Sequence, residues 1–334
     1  MDLREIDRTV YKDLLEPWLP KHIIDFHVHI NLPEHYGEIA PERSELIWAM
    51  EIATSFSWEE MREIYGLLLP NQEVETLAFG GVYREVDIPA NNEYVLRGAR
   101  DPMNHAHGLM VTKPEWDPSS LRDGMKAGFK GIKPYPDLAP QGMDDASIYD
   151  FLPHCHLSVM NEFGGIIVLH LPKRGRIADP DNIRELLEIA HGYPNVKLVV
   201  AHVGRSYCLP TAEMHLDHFR NEPGVHFDIA ANLNSDVFRY ALDIVGPDRL
   251  IYGSDLPVML MRGIREHVGD KYINYSDGEY GWNVNRKCAA DEAVYTFYIY
   301  EELIALKRAV DAAGMGADAL KKIMCTNAAK LLGI

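Results

Sequence analysis

Residues 23–30 read IIDFHVHI, an apolar run that carries an aspartate and two histidines just before a loop. In a β-strand, residues i and i+2 point to the same face. His27 and His29 therefore project together from the end of a predicted strand, where two adjacent imidazoles can chelate one divalent metal ion. Alone, this HxH pattern is equally compatible with two surface histidines beside a loop. Asp25 shares the alternation one layer lower, which predicts a supporting or core polar residue.

Seven further apolar runs follow the first, and most are nearly all apolar, as expected of strands buried on both faces of a parallel sheet. They are residues 75–83, 107–112, 129–135, 165–171, 196–204, 225–233 and 249–257. Amphipathic segments between them, such as 181–193 and 236–245, predict helices. Eight alternations of strand and helix predict an α/β fold, a (β/α)8 TIM barrel. A doubly wound nucleotide fold is disfavoured because neither GxGxxG nor GxxxxGK[ST] occurs.

The chain is expected to form a single barrel domain over residues 1–334, with an N-terminal helical extension at residues 1–20. Two segments exceed what a minimal barrel needs, 31–74 after the first strand and 258–292 after the eighth. Both emerge at the C-terminal ends of strands, where barrel enzymes build their pockets. They are predicted to be cap insertions over the active site, the first with helical patterns around residues 44–56 and 57–69.

Three more ionisable residues, His170, His202 and Asp255, directly follow apolar runs. Burying one such group without a partner is costly. Since these three and the two histidines of the first run converge on one barrel mouth, they indicate a common cation. His154 and His156 differ, because they lie on a predicted helix where residues i and i+2 diverge. We expect that pair on the helix surface.

Composition and charge narrow the possible partners. The formal net charge of −17 argues against binding nucleic acid or an anionic membrane through a general positive field, while a small basic pocket for an anionic substrate stays compatible with it. Four widely spaced cysteines without CxxC spacing predict reduced, mostly buried thiols. Neither a signal peptide nor a membrane span is recognisable. We expect a cytoplasmic protein with a small-molecule substrate; a homodimer is left open.

Six motifs in a fixed order resemble one family. They are HVH at 27–29, GFKGIKPYP at 128–136, VLHLP at 168–172, YPNVKLVVAHVG at 193–204, GPDRLIYGSDLP at 246–257 and TNAAKLLGI at 326–334. Together they resemble the amidohydrolase superfamily, specifically its amidohydrolase-related (amidohydrolase 2) branch of metal-dependent TIM-barrel hydrolases. That branch includes lactonases and aminocarboxymuconate-semialdehyde-decarboxylase-like enzymes. The resemblance runs from about residue 22 to the C-terminus.

The resemblance implies a metal centre and assigns residues to it. The implied ligands of a divalent metal are His27, His29, His170 and Asp255. Zn²⁺ is the metal most often found, with Mn²⁺ or Fe²⁺ as alternatives, and one ion is favoured over two. Asp255 would also hold the attacking water and take its proton. His202 would transfer protons and polarise the substrate, or else bind a second metal.

Lys133 and Arg205 are the candidate substrate-binding residues. Lys133, on the fourth predicted strand, can anchor a substrate carboxylate or pair with an acidic neighbour. A less favoured alternative is the carboxylated lysine that bridges two metals in some superfamily members. Arg205 can clamp an anionic group or form an ordinary loop salt bridge. Arg262 and Arg265 are weaker candidates of the same kind.

Two reactions fit this set of residues. The favoured one is hydrolysis of an amide, ester or lactone of a small, carboxylate-bearing substrate by metal-activated water. The alternative is metal-dependent non-oxidative decarboxylation of an aromatic or dienoic carboxylic acid, which uses the same ligands. A barrel that had lost catalysis and served as a scaffold would be expected to show a degraded ligand set, whereas every expected ligand type is present.

Overall fold

The structure, a computed structural model, describes residues 2–44 and 47–334. The strands of the barrel wall are β1 (His22–His29), β2 (Glu73–Phe79), β3 (Ala106–Gly108), β4 (Met110–Thr112), β5 (Gly131–Pro134), β6 (Ile166–Leu169), β7 (Lys197–Val200), β8 (Val225–Asp228) and β9 (Leu250–Ile251). Two further strands, β10 (Gly263–Val268) and β11 (Lys271–Ser276), form an antiparallel hairpin.

Hydrogen bonds join the wall strands into one parallel ring. β1, β2 and β3 form one sheet, and β4 to β9 form a second sheet in sequential order. β3 and β4 are two parts of one barrel strand, interrupted only at Leu109, so the nine strands occupy eight positions. The last strand meets the first, since the N–H of Phe26 donates to the Tyr252 carbonyl at 3.0 Å and that of His29 to the Leu256 carbonyl at 2.8 Å. The predicted (β/α)8 barrel is confirmed.

Helices surround this wall. The α-helices are Glu5–Val10, Pro41–Ser44, Trp58–Leu68, Ile88–Ala99, Pro118–Ala127, Ile148–Phe151, His154–Phe163, Pro180–Gly192, Leu209–His215, Ser235–Ile244, Ala289–Glu292, Tyr298–Ala312, Ala317–Lys321 and Asn327–Leu332. Short 3₁₀ turns lie at Pro33–His35, Trp48–Glu51, Pro102–Asn104, Pro136–Leu138, Arg176–Ala178, Leu216–Phe219 and Val258–Leu260, and π-turns at Tyr11–Leu15 and Lys322–Thr326. None of the helices in these described ranges has the length and hydropathy of a bilayer span.

The core has two layers because successive strand residues face opposite sides. In β7, Val199 belongs to the cluster that fills the barrel, whereas Leu198 and Val200 pack in the larger layer between wall and helices. The C-terminal helix contributes Ala328 and Leu331 to the inner cluster. The barrel interior is therefore filled below the mouth, and open space for a ligand lies at the C-terminal strand ends.

β1 breaks its own alternation. Its register with β2 shifts between Asp25 and Val28. Asp25 consequently does not lie one layer below His27, as predicted. Its carboxylate is buried on the helix side, where it accepts hydrogen bonds from the Tyr65 hydroxyl at 2.8 Å and the Ser254 N–H at 2.9 Å. A local bulge of this kind leaves no signature in the apolar pattern of the sequence.

The predicted strands start within two residues of the observed ones, and most of them run too far. The runs 225–233 and 249–257 leave the sheet after Asp228 and Ile251. Beyond these points the chain stays buried, and its backbone bonds partly to neighbouring strands and partly to loops and helices; the N–H of Tyr252, for example, donates to the Ile323 carbonyl at 2.9 Å. Burial alone therefore does not distinguish the end of a strand from the loop that carries site residues.

The two insertions meet over the barrel mouth. In the described part of the pattern at 44–56, the helical residues are Ser44, which ends the helix Pro41–Ser44, and the 3₁₀ turn Trp48–Glu51; residues 45–46 lie outside the described residues. The Trp48 ring packs edge-on to Trp282 of the second insertion, with ring centroids 5.6 Å apart. Trp282 in turn stacks on Tyr280 at 5.2 Å. The domain and cap boundaries themselves stay predictions.

Two expectations about burial were wrong. His156 is buried, with Nε2 2.8 Å from the Trp116 carbonyl, because that face of its helix packs inward; His154 is exposed as expected. Among the four cysteines only Cys208 is buried, while Cys155 and Cys288 are exposed. Cysteine burial followed helix orientation here, which residue type does not encode.

Two helical glycines provide a matched test of packing. A Cβ at buried Gly98 would overlap the indole of Trp58, whereas a Cβ at exposed Gly66 would meet nothing within 4 Å. We expect Gly98→Ala to lower the free energy of unfolding by about 1–3 kcal/mol through overpacking. Gly66→Ala should raise it by about 0.5–1 kcal/mol, because alanine loses less backbone entropy in a helix. Urea unfolding measures both, and equal effects of the two substitutions would contradict the packing described.

Candidate metal centre

Three side-chain donor atoms converge at the ends of β1 and β9. Asp255 Oδ1 lies 3.5 Å from His27 Nε2 and 3.4 Å from His29 Nε2. A tetrahedral zinc ion with ligands at about 2.1 Å separates those ligands by about 3.4 Å. The three atoms are therefore spaced as ligands of one shared cation, and the donor types, two imidazoles and one carboxylate, suit zinc or manganese.

Hydrogen bonds fix which nitrogen of each imidazole is free. His27 Nδ1 lies 2.9 Å from Asp228 Oδ2, and His29 Nδ1 lies 3.3 Å from the Gly80 carbonyl. Both oxygens can only accept, so in the neutral ring the Nδ1 atoms carry the protons and the Nε2 lone pairs face Asp255. Burial and the nearby charge of Lys133 lower the pKa of His27, which favours its neutral form.

Asp228 connects the site to three elements. Besides accepting from His27, its other oxygen Oδ1 accepts the N–H of His202 at 2.7 Å and that of Ala230 at 3.2 Å. Burial raises its pKa, but the charge and hydrogen bond of His27 outweigh burial and hold the pKa below its usual value. Asp228 lies within the predicted strand run 225–233, but the sequence alone gave it no specific role.

The Asp255 carboxylate is held in its ionised form. Burial raises its pKa, but His29, His27 and His202 outweigh burial and bring the pKa well below the usual range. Its backbone has φ of +59°, and its N–H donates to the His27 carbonyl at 2.8 Å. A left-handed backbone costs a non-glycine residue about 1–2 kcal/mol, so the surrounding hydrogen bonds must hold this residue in place.

His202 opens a left-handed turn. All four residues of His202–Arg205 have positive φ, between +50° and +66°. Gly204 adopts this backbone at little steric cost, and a Cβ there would overlap the Ile177 side chain. The turn leaves the direction of β7 and brings the His202 ring to 4.9 Å from that of His27.

The His202 ring presents a lone pair to the cavity. Its Nδ1 lies 2.8 Å from the Ala230 carbonyl, which can only accept, so Nδ1 carries the proton. Burial lowers the pKa of His202 to about 4. Near neutral pH the ring is therefore uncharged and Nε2 is a proton acceptor. It becomes a proton donor only after it has collected a proton.

His170, the predicted fourth ligand, lies beside this cluster rather than within it. Its ring is 4.8 Å from that of Tyr135 and edge-on to that of His202 at 5.3 Å. Its Nδ1 is buried without a hydrogen-bond partner in residues 2–44 and 47–334. Burial, with the charge of Arg205, brings its pKa well below the usual value. An orphaned neutral imidazole beside the other donors is consistent with the predicted role, which stays a prediction.

Lys133 is buried against the proposed ligands. Its Nζ lies 3.4 Å from His27 Nε2 and 4.7 Å from the centroid of the Phe79 ring. Burial lowers its pKa to about 8, although Asp228 and Asp255 act in the opposite direction. It is not among the residues that line the cavity. Its contact with substrate stays a prediction, and its charge acts first on the metal ligands.

A cavity of about 320 Å³ opens in front of the cluster. His27, His29, His170, His202 and Asp255 line it, together with the tyrosines Tyr83, Tyr135, Tyr207 and Tyr272 and the arginines Arg176, Arg205 and Arg265. The predicted residue Arg205 is therefore brought into the site, where its Nη1 donates to the Leu171 carbonyl at 2.9 Å. Arg262 is not part of the site; it is buried in an ion pair with Asp7 at 2.6 Å.

Comparison with known families agrees with this geometry. The family described as Amidohydrolase matches residues 24–334. The chain belongs to the amidohydrolase family. The match includes every strand of the barrel except the first two residues of β1, and all of the residues discussed above. No match to a curated protein was found.

Solved structures of low sequence identity share the fold of this amidohydrolase. An amidohydrolase from Burkholderia multivorans with bound zinc is 14% identical, with 93% of this chain and 99% of that chain covered and a TM-score of 0.61. A probable 2-pyrone-4,6-dicarboxylic acid hydrolase from Acinetobacter baumannii, with citric acid bound, is 16% identical, with 93% and 99% covered and a TM-score of 0.58. A 5-carboxyvanillate decarboxylase from Novosphingobium aromaticivorans, complexed with manganese and a nitrobenzoic acid, is 14% identical, with 95% and 96% covered and a TM-score of 0.58.

The Asp228 carboxylate can be tested as the support of the metal ligand His27. Asp228→Asn weakens the acceptor for His27 Nδ1–H, and loss of such a partner costs about 10- to 100-fold in metal affinity. We expect that loss for zinc, measured by competition with a chromophoric chelator. Exposed Asp123→Asn serves as the matched control and should bind as the wild type does. Unchanged affinity in Asp228→Asn would mean that His27 does not ligate the metal through Nε2.

Lys133 should make metal binding depend on pH. An ammonium beside His27 Nε2 repels a cation, so below a pKa of about 8 metal binding must displace the Lys133 proton. Affinity of the wild type for Mn²⁺ should rise steeply between pH 7 and 8. Lys133→Met should bind more tightly at pH 7 and lose part of this slope, which calorimetry in several buffers measures.

The control for that experiment is exposed Lys126→Met, which should keep the wild-type slope. Weaker binding by Lys133→Met would contradict the repulsion. It would indicate instead that Lys133 supplies a ligand atom, as a carboxylated lysine would.

Proposed function

We propose that this amidohydrolase is a metal-dependent hydrolase that cleaves an amide, ester or lactone of a small, carboxylate-bearing substrate. The observation that carries the proposal is the position of Asp255 Oδ1, 3.5 Å from His27 Nε2 and 3.4 Å from His29 Nε2, with the proton-accepting Nε2 of His202 on the same cavity. Hydrolysis needs a base for water and a carrier that returns the proton to the leaving group, and these residues supply both.

In this proposal His27, His29 and Asp255 hold the cation, with His170 as the fourth ligand. When bound, a divalent ion supplies Lewis acidity and lowers the pKa of water toward neutrality. A single ion, most simply Zn²⁺, is favoured by the hydrogen bonds. The only other group of potential ligands in the described part of the chain, His27, His202 and Asp228, is already joined by the bond from His27 Nδ1 to Asp228.

The proton path follows from the protonation states of the two polar side chains. Asp255 is ionised, so it takes the proton of the attacking water. His202 is neutral with its lone pair at Nε2, so it receives that proton and delivers it to the leaving nitrogen or oxygen. Asp228 fixes the backbone of His202 and the tautomer of His27, so both rings keep their orientation throughout the cycle.

The substrate is small and anionic. A volume of about 320 Å³ is at the lower end of the range for ligand pockets, about 300–1,000 Å³. Arg205 on the cavity wall offers a guanidinium to a substrate carboxylate. An anionic substrate thus matches the site in spite of the net negative charge of the chain.

Decarboxylation of an aromatic acid is the second candidate, and one observation favours it. Four tyrosines and Trp48 line the cavity, a wall suited to stacking against an aromatic ring. The same cation ligands and the same proton carrier His202 would serve that reaction. A panel of lactones, N-acyl compounds and aromatic carboxylates, with carbon dioxide release recorded in parallel, distinguishes the two reactions.

Variants of the ligands and of His202 should behave differently. His27→Ala and Asp255→Ala should lose both metal and turnover. His202→Ala should keep its metal while turnover falls by about 10²- to 10⁴-fold, the usual contribution of proton transfer. Exposed His154→Ala is the control for a histidine outside the site. Metal content is measured by plasma emission and turnover on the best substrate of the panel.

Two results would contradict this proposal. Normal turnover by metal-free His27→Ala would exclude the proposed centre as the site of reaction. Loss of half of the metal from His202→Ala would show that His202 is a ligand and that two ions bind.

A further inference from the structure

Three arginines reach the cavity from three different loops. Arg176 lies in the 3₁₀ turn after β6, Arg205 ends the left-handed turn after β7, and Arg265 belongs to β10 of the hairpin in the second insertion. All three line the cavity in front of the proposed metal ligands. A hairpin that is extra to the minimal barrel thus contributes a charged side chain to the site.

The three guanidinium groups gather around Tyr207. The Cζ atoms of Arg176 and Arg265 lie 5.2 Å and 5.1 Å from the centre of its ring, and Arg265 lies 4.8 Å from that of Tyr272. Burial raises the pKa of Tyr207, and all three arginines act against burial to lower it; Arg205, two residues before Tyr207, lines the same cavity wall. The arginines form one cluster, which we name the arginine cluster.

The charge of the arginine cluster is not balanced by nearby carboxylates. In the part of the chain that the structure describes, no Asp or Glu lies within 4.0 Å of any of the three guanidinium groups. By contrast, Arg262 pairs with Asp7, and Arg43 pairs with Glu85 and Asp137. All three side chains of the arginine cluster are partly buried at the wall of the cavity, so their unpaired positive charge favours an anion as the ligand of this part of the cavity.

Hydrogen-bond donors are available for that anion. Both Nη atoms of Arg176 and Nη2 of Arg205 make no hydrogen bond within the described ranges, and they are not among the buried atoms. Arg265 uses Nε on Asn274 and Nη1 on the Ala231 carbonyl, both at 2.8 Å, which holds its guanidinium in place. Planar guanidinium groups bind carboxylates with two parallel hydrogen bonds, so a carboxylate fits the arginine cluster better than a neutral group.

We propose that the arginine cluster is a distal carboxylate subsite, and that the substrate is a small dicarboxylate. One acidic end is held by Arg176, Arg205 and Arg265, while the other end, which carries or adjoins the reacting bond, lies at His27, His29 and Asp255. The inference rests on the proposed function for the identity of the reacting end. The cavity wall carries three guanidinium groups against the single carboxylate of Asp255, so a second negative charge on the ligand is accommodated without repulsion.

Arg176 is the residue to substitute, because none of its side-chain atoms has a hydrogen bond in the described structure. Arg176→Gln therefore removes a positive charge without breaking a side-chain hydrogen bond within the protein. Arg174→Gln is the matched control: it lies two residues away, its side chain is 88% exposed and it pairs with Asp144. The probes are the flexible dicarboxylates from malonate to adipate, each compared with the monocarboxylate of equal chain length. Calorimetry measures their binding to metal-loaded protein and to chelator-treated protein.

At least one dicarboxylate should bind the wild type about tenfold or more tightly than its monocarboxylate, and Arg176→Gln should lose about tenfold or more of that affinity, because bonds to charged groups contribute about 1.5–3 kcal/mol. Arg174→Gln should bind as the wild type does. Equal binding of all pairs, no binding of any dicarboxylate, or an unaffected Arg176→Gln variant would overturn the subsite. A further outcome is that the protein binds a dicarboxylate more tightly than its monocarboxylate while it neither retains metal nor turns over any substrate. That result would support the subsite and refute only the proposed function.

Discussion

The hydrogen bond between Asp228 and His27 Nδ1 is the contact on which the site depends. One buried carboxylate, at the end of β8, fixes the tautomer of a ring on β1 and the backbone of His202 after β7. If Asp228 were absent, His27 could expose either nitrogen to Asp255, and the left-handed turn would lose its anchor. The proposed cation ligand His27 and the proton carrier His202 thus share a single support, which lies outside the cavity lining itself.

The backbone is strained at the residues that carry the proposed chemistry. Asp255 and the turn at His202–Arg205 adopt left-handed φ values that are unfavourable for side chains other than glycine. A closed parallel barrel with two buried layers of apolar side chains provides the stability that holds such residues in place. The left-handed backbone at the ends of β7 and β9 directs these side chains into the barrel mouth. A regular continuation of either strand would carry them past the mouth.

Much of the fold could be read from the sequence, because its signals are local. Buried parallel strands are nearly continuous apolar runs, and the amphipathic helices at 180–192 and 235–244 were displaced by only one residue from prediction. HxH at the end of such a run identified His27 and His29, and the ordered motifs identified the family. These features depend on the periodicity and spacing of residues along the chain, which can be recognised without knowledge of the tertiary contacts.

The remaining features depend on contacts between distant segments. The shift in β1 that moves Asp25 to the helix side depends on pairing with β2, and the role of Asp228 depends on a partner 201 residues away. Arg176 belongs to no sequence motif. Its place in the site can be recognised only from the fold, which brings its loop beside β10. Side-chain direction at loop positions is set by packing, which composition and spacing do not determine.

A cation shared by His27 Nε2, His29 Nε2 and Asp255 Oδ1 is open to direct observation. Crystals grown with zinc and measured on both sides of its absorption edge yield an anomalous difference map that locates the ion without reference to activity. We expect one strong peak about 2.0–2.2 Å from each of these three atoms. A map from zinc-saturated crystals with no peak there, or with its peak outside the reach of His27 and His29, would contradict the proposed centre and the chemistry built on it.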